Sequence, residues 1–255
     1  MRGQQLRAKL QSGQPLLNLS VSFYSPTVVE ILSYTDADII FLDAEHGAIS
    51  EANCEDMIRA ADYREKPVII RVPENEDHII LRYLDIGASG IMIPHLSTRD
   101  DAERAVAAIK YPPDGRRSFA PGRTAGWGTL ESNLAYTQRA NLETVVIGLF
   151  EDVSGVPALD DILAVPGLDA LLIGPFDLAA SMGYPGEPWH APVQTVILEV
   201  IAACRQAGKP SGLPASSMDS ARQSIALGAK IITVSVSSLL IRETRTYLKA
   251  VFGRK

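Results

Sequence analysis

The chain has 255 residues, of which 46% are hydrophobic and 21% are charged. That length and apolar fraction suit one large globular domain with a substantial buried core. It carries 24 basic against 30 acidic residues, a net charge of −6, and the basic residues are scattered. Because polyanions bind clustered lysine and arginine, this balance argues against nucleic acid and anionic membranes as partners.

The sequence contains no pattern typical of a signal peptide, a membrane span or a cysteine-based metal site. The segment MRGQQLRAKLQSGQ lacks the apolar stretch of a signal peptide, and no run of about 18 apolar residues occurs in the chain. Cys54 and Cys204 lie in helical patterns and outside any CxxC or Cys/His spacing typical of zinc sites. We expect a cytoplasmic protein whose two cysteines are reduced and buried.

Short, almost continuously apolar runs recur along the chain, and helix-length amphipathic segments separate them. Parallel strands covered on both faces have this unbroken pattern. A glycine suited to a left-handed helix C-cap precedes three of the runs, at Gly87, Gly167 and Gly228. The repeat is therefore a βα unit. The eight runs are LLNLSVS, DIIFLDAEH, PVIIRV, GIMIPH, TVVIGLFED, ALLIGPFD, PSGLPA and IITVSVSS.

Eight such units predict an α/β fold, a single (β/α)8 TIM barrel in one domain over residues 1–255. Helix starts are signalled at Ser25, Ser50 and Ser97-Thr98. The Gly- and Arg-rich stretch from 114 to 128 is predicted to be a long loop over one barrel face. An open doubly wound sheet has the same alternation, but eight strands and the absence of a glycine-rich dinucleotide fingerprint favour the barrel.

Reactive groups in such barrels project from the carboxyl ends of the strands. The ends of these runs carry several charged or imidazole side chains, more than a purely structural barrel needs. They are Asp43, Glu45, His46, Arg71, His95, Glu151 and Asp177.

Four ordered motifs make a family resemblance specific. They are FLDAEHG at 41 to 47, RVPEN at 71 to 75, YPPDGRR at 111 to 117 and IGPFDLAASMG at 173 to 183. With Glu151 they resemble the HpcH/HpaI aldolase family from about residue 15 to 240. The resemblance implies a class II, metal-dependent pyruvate aldolase similar to 4-hydroxy-2-oxoheptanedioate aldolases, which acts on a 2-oxo acid and an aldehyde.

The resemblance implies that Glu151 and Asp177 bind a divalent metal ion. Mg²⁺ or Mn²⁺ suits two carboxylates on neighbouring strands, and Co²⁺ or Zn²⁺ is the alternative. The remaining coordination positions would go to water and substrate. From the residues alone, Glu151 could equally cap the following turn, and Asp177 could cap the helix DLAASMG.

Arg71 is expected to anchor the carboxylate of the 2-oxo acid through two parallel hydrogen bonds. The alternative is an ion pair with Asp43 or Glu45 on the adjacent strand, and the two roles can coexist. His46 is the expected acid/base, because histidine titrates near neutral pH and Asp43 could orient it. Glu45 would hold a metal-bound water without touching the metal ion itself, or it would balance the charge of Arg71.

Several residues are expected to line the substrate pocket: Gly174, Pro175 and Phe176 at a helix start, Leu213 in SGLPA, and Trp127 in a GWG turn. No Schiff-base lysine is expected, since Lys230 lies at the entrance of a strand, the wrong end of the barrel.

The sequence departs from the family pattern at Leu149, where many relatives carry glutamine, and at His95, where methionine is frequent. Phe176 and Ser118-Phe119-Ala120 also differ, and these changes leave the substrate range open. Three other functions remain: oxaloacetate decarboxylation at the same site, a citrate-lyase-like acyl-CoA lyase and a non-catalytic 2-oxo-acid-binding barrel. Relatives form hexamers of dimers that exchange a terminal helix, and SSLLIRETRTYLKAVF is compatible with such packing.

Overall fold

The computed structural model describes residues 2–254, which form a closed barrel of parallel strands in chain order. The strands are β1 (Leu16–Val21), β2 (Ile39–Asp43), β3 (Val68–Arg71), β4 (Gly90–Ile93), β5 (Val145–Phe150), β6 (Ala170–Ile173), β7 (Ser211–Pro214) and β8 (Ile231–Ser235). The helices are α1 (Arg2–Gln11), α2 (Pro26–Ser33), α3 (Glu51–Asp62), α4 (Asp77–Asp85), α5 (Arg99–Ile109), α6 (Asn133–Glu143), α7 (Leu159–Leu163), α8 (Pro175–Ser181), α9 (Ala191–Gln206), α10 (Met218–Leu227) and α11 (Val236–Phe252).

The pairing of the first strand with the last decides between the two predicted architectures. β1 pairs with β8 in parallel register from Leu16 opposite Ile231 to Ser20 opposite Ser235. An open doubly wound sheet would leave both edge strands without this partner. The (β/α)8 TIM barrel predicted from the eight apolar runs is confirmed, and each run contains one strand.

Successive side chains of each strand point alternately into the barrel and toward the helices. The inward row forms a buried apolar cluster, and the outward row packs in a second cluster against the helices. The inward cluster includes Phe41, Ile69 and Leu149. Two residues beyond each of these lie Asp43, Arg71 and Glu151, so the period of two places all three charged groups over the barrel axis.

The predicted helix boundaries follow from local hydrogen bonds. Ser25, Ser50 and Thr98 cap α2, α3 and α5 through their hydroxyl groups. Gly87, with φ of 112°, has a left-handed backbone at the turn from α4 to β4, where a side chain would be strained.

The long loop from 114 to 128 includes a 3-10 helix at Arg123–Gly128. Trp127 lines a groove together with Ser89 and Thr144, which directly precede β4 and β5. The part of the loop around Trp127 therefore lies at the amino end of the strands, away from the strand ends that carry the charged residues.

Both cysteines are free and buried, as expected from the sequence. Burial raises the pKa of each thiol to about 12, so Cys54 and Cys204 are protonated, unreactive members of the core. Within residues 2–254, no helix is both long enough and apolar enough to cross a membrane.

Ile147 tests the packed barrel interior, because its side chain is 2% exposed in the inward cluster. We expect Ile147→Ala to lower the free energy of unfolding by about 2–5 kcal/mol, through lost burial and the cavity left behind. Ile31 is 61% exposed on α2, and Ile31→Ala should change stability by less than about 0.5 kcal/mol. Urea unfolding measures both; equal effects would contradict a filled barrel interior.

Candidate active site

A cavity of about 650 Å³ occupies the carboxyl end of the barrel. It gathers residues from the ends of strands that are far apart in the sequence. Five of the predicted functional side chains line it together: Asp43, His46, Arg71, Glu151 and Asp177. Gly174, Pro175 and Phe176 line the same cavity at the start of α8.

Arg71 and Asp43 form a two-point ion pair across β2 and β3. Arg71 Nε donates to Asp43 Oδ1 at 3.0 Å and Nη2 donates to Oδ2 at 2.6 Å. Burial alone would raise the pKa of Asp43, but the hydrogen bonds and charge of Arg71 outweigh it. The backbone amides of His46 and Glu45 also donate hydrogen bonds to the Asp43 carboxylate and stabilise its charged form. The pKa of Asp43 therefore lies below its usual range.

Asp43 contacts His46 through the backbone amide of that residue and not through its imidazole. The His46 side chain is 67% exposed and its Nε2 lies 3.9 Å from Glu45 Oε2. The same Glu45 oxygen lies 2.9 Å from Arg71 Nη1. Glu45 thus balances the arginine, one of its two predicted roles, while the predicted orientation of the imidazole by Asp43 has no counterpart in these contacts.

Glu151 is buried, with 3% of its surface exposed. Its Oε1 accepts a hydrogen bond from the His95 backbone amide at 2.8 Å and lies 3.1 Å from His95 Nδ1. Burial raises the pKa of Glu151; Asp177 and Glu45 raise it further, and the contacts with His95 lower it in part. The carboxylate faces into the site and does not cap the next turn, where Asp152 accepts from the Ser154 amide.

Glu151 and Asp177 have the features of a cation site. Asp177 lies in the first turn of α8 and lines the cavity. A Cβ at Gly174 would lie 2.7 Å from Glu151 Oε2, so glycine leaves the room that this carboxylate occupies. Crowded carboxylates repel one another unless a cation lies between them.

The donor set suits a hard, partly hydrated cation. Among residues 2–254 no group of three or more His, Cys, Asp or Glu side chains is spaced to hold a metal ion. Glu151 and Asp177 are the cavity carboxylates that form no hydrogen bond with Arg71, and they could supply two oxygen ligands. Mg²⁺ is commonly bound by one or two carboxylates and keeps several waters. Glu151 and Asp177 therefore fit Mg²⁺ or Mn²⁺ with positions left for a substrate.

The floor of the cavity is apolar. Phe41, Met92, Leu149 and Leu172 line it and belong to the inward cluster of the barrel. Leu149 is 6% exposed and points into the barrel two residues before Glu151. The departure noted in the sequence thus extends the apolar floor toward the carboxylates.

Two predicted pocket residues lie elsewhere. Leu213 is 1% exposed and packs with the outward cluster, because Pro214 takes the inward position at the end of β7. Trp127 is 68% exposed and lines the groove at the amino end of the barrel. The prediction that Leu213 and Trp127 are walls of this cavity is wrong for this chain.

One wall of the cavity was not predicted from the sequence. This wall consists of hydroxyl side chains from β1, the loop after β7, β8 and α11, and Trp189 lies beside it in the loop between α8 and α9. The inward positions of IITVSVSS contain the signal, since hydroxyl groups alternate there with aliphatic residues. The hydroxyl wall consists of Ser20, Ser216, Thr233, Ser235 and Ser238.

No lysine lines the cavity within the described part of the chain. Lys230 directly precedes β8 and so lies at the amino end of the barrel, as expected. The cavity therefore offers carboxylates, an arginine and an exposed histidine, but no described amine for a covalent adduct with a ketone.

The fold and the cavity define a (β/α)8-barrel protein with a carboxylate-rich candidate active site at the carboxyl ends of its strands. The family model of the HpcH/HpaI aldolase/citrate lyases matches residues 18–244. A hydroxypyruvate/pyruvate aldolase of Sagittula stellata is 34% identical over 237 residues, which are 92% of each chain. A 2-keto-3-deoxy-L-rhamnonate aldolase of Escherichia coli O17:K52:H18 is 33% identical over 249 residues, 96% of this chain and 92% of the relative.

A solved structure of an HpcH/HpaI aldolase/citrate lyase family protein from Burkholderia cenocepacia J2315 superposes with a TM-score of 0.92 at 36% identity. The match covers 97% of this chain and 99% of that one. The chain belongs to the HpcH/HpaI aldolase/citrate lyase family, as its motifs indicated.

The Arg71–Asp43 pair should make stability depend on pH. Because the folded-state pKa of Asp43 lies below its ordinary value of 3.8, the pair stabilises the fold above that pH and is lost as pH falls through the folded value. We expect Asp43→Asn to cost about 2 kcal/mol near neutral pH. The difference in free energy of unfolding between Asp43→Asn and wild type, measured by urea unfolding, should shrink as the pH is lowered. Asp161→Asn, an exposed change on α7, is the control; a pH-independent difference for Asp43→Asn would contradict the pair.

Proposed function

We propose that the protein is a divalent-metal-dependent aldolase that reversibly cleaves 4-hydroxy-2-oxo acids to pyruvate or a related 2-oxo acid and an aldehyde. The observation that carries this is the convergence of Glu151, Asp177 and Arg71 on one cavity. The relatives named hydroxypyruvate/pyruvate aldolase and 2-keto-3-deoxy-L-rhamnonate aldolase support it.

Arg71 would anchor the carboxylate of the 2-oxo acid. A guanidinium has five N–H donors. Asp43 accepts from two of them, and Glu45 Oε2 lies 2.9 Å from Nη1 without accepting a hydrogen bond, which leaves three N–H groups for a substrate. Because Asp43 fixes the plane of the guanidinium, the substrate carboxylate would be held in one orientation.

Glu151 and Asp177 would hold the divalent cation beside that anchor. When bound, the cation would stabilise the negative charge that develops on the 2-oxo acid as its C3–C4 bond breaks. The His95 backbone amide keeps Glu151 Oε1 in place, and the cradle at Gly174 admits Oε2. These contacts fix the carboxylate before the cation arrives.

His46 would transfer the proton at the aldehyde end. In cleavage its imidazole accepts the proton of the 4-hydroxyl group as the C3–C4 electrons pass to the 2-oxo acid fragment and the aldehyde forms. In the reverse reaction, the addition to the aldehyde, the imidazole returns that proton to the new hydroxyl group. Its exposed position at the cavity rim suits the part of the substrate that leaves first.

Self-association is part of the proposal, because one face of α11 is apolar and exposed. Leu240, Tyr247 and Val251 recur at helical spacing and are between 56% and 64% exposed. An apolar row on a terminal helix suits packing against a second copy of the chain. The hexamer implied by the family resemblance is compatible with it.

The test is pyruvate release from a 4-hydroxy-2-oxo acid by metal-stripped protein, with and without Mg²⁺ or Mn²⁺. We expect cleavage to require the cation, and His46→Ala to lower kcat by about 10²–10⁴-fold, because a positioned proton-transfer group contributes that much. His78→Ala, which removes an exposed histidine on α4, is the matched control.

The alternatives give different results in the same assay. Oxaloacetate converted to pyruvate without cleavage of any hydroxy-oxo acid would identify a decarboxylase. A requirement for coenzyme A would favour the acyl-CoA lyase. Binding of 2-oxo acids without turnover under either cation would leave only the binding protein, and cleavage that persists in His46→Ala would remove the base assignment.

A further inference from the structure

We propose that Asn18 and Thr233 form a hydrogen-bond donor site inside the barrel that selects the 2-oxo acid, favouring an acid with a hydroxyl group at C3. This inference rests on the proposed aldolase function and names the class of its 2-oxo acid. The two residues lie opposite each other in the register of β1 and β8. Asn18 Nδ2 donates to Thr233 Oγ1 at 3.0 Å.

Both side chains occupy inward positions of their strands. Leu16 and Ile231 belong to the inward apolar cluster, and Asn18 and Thr233 lie two residues further along β1 and β8. Thr233 lines the active-site cavity, and Asn18 is buried beside it with 2% of its surface exposed. A polar pair therefore interrupts the apolar interior of the barrel at the edge of the cavity.

The direction of this hydrogen bond decides what Thr233 offers to a ligand. A hydroxyl group has one proton to donate and two lone pairs that accept. Because the Asn18 amide donates to Oγ1, the threonine proton remains available for another acceptor. Thr233 donates to no group in the described range 2–254, and it lines the cavity. It is therefore a hydrogen-bond donor in the cavity wall.

Asn18 also carries an oxygen atom that a purely structural pair would not need. Its Oδ1 is buried and has no hydrogen-bond partner among residues 2–254. A buried, unpaired acceptor lowers stability, and an aliphatic side chain of similar size would avoid that loss. A role in binding offsets the loss, since the amide nitrogen of Asn18 holds Thr233 as a donor. Asn18 is thus a positioning residue that acts through Thr233.

The order of the strands places this donor across the barrel from the carboxylate of Glu151. In the closed barrel β1 and β8 lie on the other side of the axis from β4 and β5, and Glu151 directly follows β5. The interior of an eight-stranded barrel is just wide enough for its side chains or one small ligand. A 2-oxo acid whose carboxylate and keto oxygens face Arg71 and Glu151 turns C3 away from them. The substituent on C3 therefore faces Thr233.

The chemistry of that substituent then decides how well the acid binds. A hydroxyl oxygen on C3 accepts the proton of Thr233, whereas a hydrogen atom or a methyl group excludes water from the donor and leaves it unpaired. An unpaired donor in a binding site is costly, so a site of this kind discriminates against the analogue that lacks the acceptor. Ser235, on the same strand, already accepts from the Ser238 amide at the start of α11.

The experiment measures the binding of three 2-oxo acids by calorimetry in the presence of Mg²⁺ and without an aldehyde. At C3, pyruvate has only hydrogen atoms, 2-oxobutanoate has a methyl group and hydroxypyruvate has a hydroxyl group. The methyl and hydroxyl groups are similar in size, so their comparison separates hydrogen bonding from volume. We expect the Kd of hydroxypyruvate to be about fivefold lower than that of 2-oxobutanoate, the effect of about one hydrogen bond.

Thr233→Val should bring the ratio of these two Kd values close to one, and Thr233→Ser, which keeps the hydroxyl group, should preserve it. Thr195→Val, an exposed change on α9, is the matched control and should keep the wild-type ratio. A ratio near one in wild type, or a ratio that Thr233→Val leaves unchanged, would overturn the site.

Asn18→Leu tests the positioning role. It should reduce the ratio when Thr233 is present and have no further effect in the double variant with Thr233→Val, because the two residues act as one unit. Its free energy of unfolding should not fall, since the substitution also removes the unpartnered Oδ1. Independent, additive effects of the two substitutions on the ratio would contradict a role of Asn18 through Thr233.

Turnover separates failure of this site from failure of the proposed aldolase. The same proteins are assayed for addition of pyruvate and hydroxypyruvate to glycolaldehyde. A preference in Kd that Thr233→Val abolishes supports the site even if neither acid is added to the aldehyde. Addition of both acids without any preference in Kd removes the site and leaves the aldolase standing. No binding of any of the three acids would overturn both.

Discussion

The placement of Arg71 among carboxylates governs the chemistry of this barrel. Within the described range, Arg71 is the one arginine or lysine that lines the main cavity, and the carboxylates of Asp43, Glu151 and Asp177 line it too. Asp43 takes the guanidinium through two hydrogen bonds, and Glu45 lies close to its third nitrogen. Among the described residues, Arg71 forms no hydrogen bond or ion pair with Glu151 or Asp177, so a cation would be a fitting partner for these two carboxylates.

The architecture produces this arrangement from the period of two along a strand. Inward apolar residues fill the lower barrel, and the next inward position on β2, β3 and just beyond β5 is charged. The packed floor excludes water from below, so electrostatic contacts between these groups act in a less polar surrounding than bulk solvent. The two clusters of the core thus have different roles. The outward cluster packs the strands against the helices, and the inward cluster lies beneath the candidate active site.

The sequence was sufficient where one local rule decides the outcome. Unbroken apolar runs, cap residues and left-handed glycines gave the strands, the helix starts and the barrel. The ordered motifs brought Asp43, His46, Arg71, Glu151 and Asp177 to one cavity, because strand ends meet at one end of a closed barrel.

Prediction failed where the direction of a side chain depends on register or on the path of a long loop. Leu213 and Pro214 differ by one residue, and that step separates the outward core from the cavity. Trp127 belongs to a loop whose course follows from contacts at the amino end of the barrel, which no local pattern encodes. Two members of the hydroxyl wall, Thr233 and Ser235, lay inside a run that was treated as almost continuously apolar.

His95 is a related case. It was listed among the strand-end side chains and as a departure from the family pattern, and no role was predicted for it, yet its backbone amide and imidazole both contact Glu151. Its φ of 51° lies in the left-handed region, where histidine is tolerated better than most side chains. A backbone turn of this kind, which aims an amide at a carboxylate on another strand, is set by tertiary contacts and not by the sequence window around it.

The most direct test of the account is to count Mn²⁺ ions bound per chain by electron paramagnetic resonance. Wild type, Glu151→Gln and Asp177→Asn are compared, with Asp160→Asn on the exposed start of α7 as the control. The account predicts one site per chain that each ligand variant weakens by at least about tenfold, while the control keeps wild-type affinity. Mn²⁺ binding that is equal in all four proteins, or absent from wild type, would contradict the claim that Glu151 and Asp177 hold the cation.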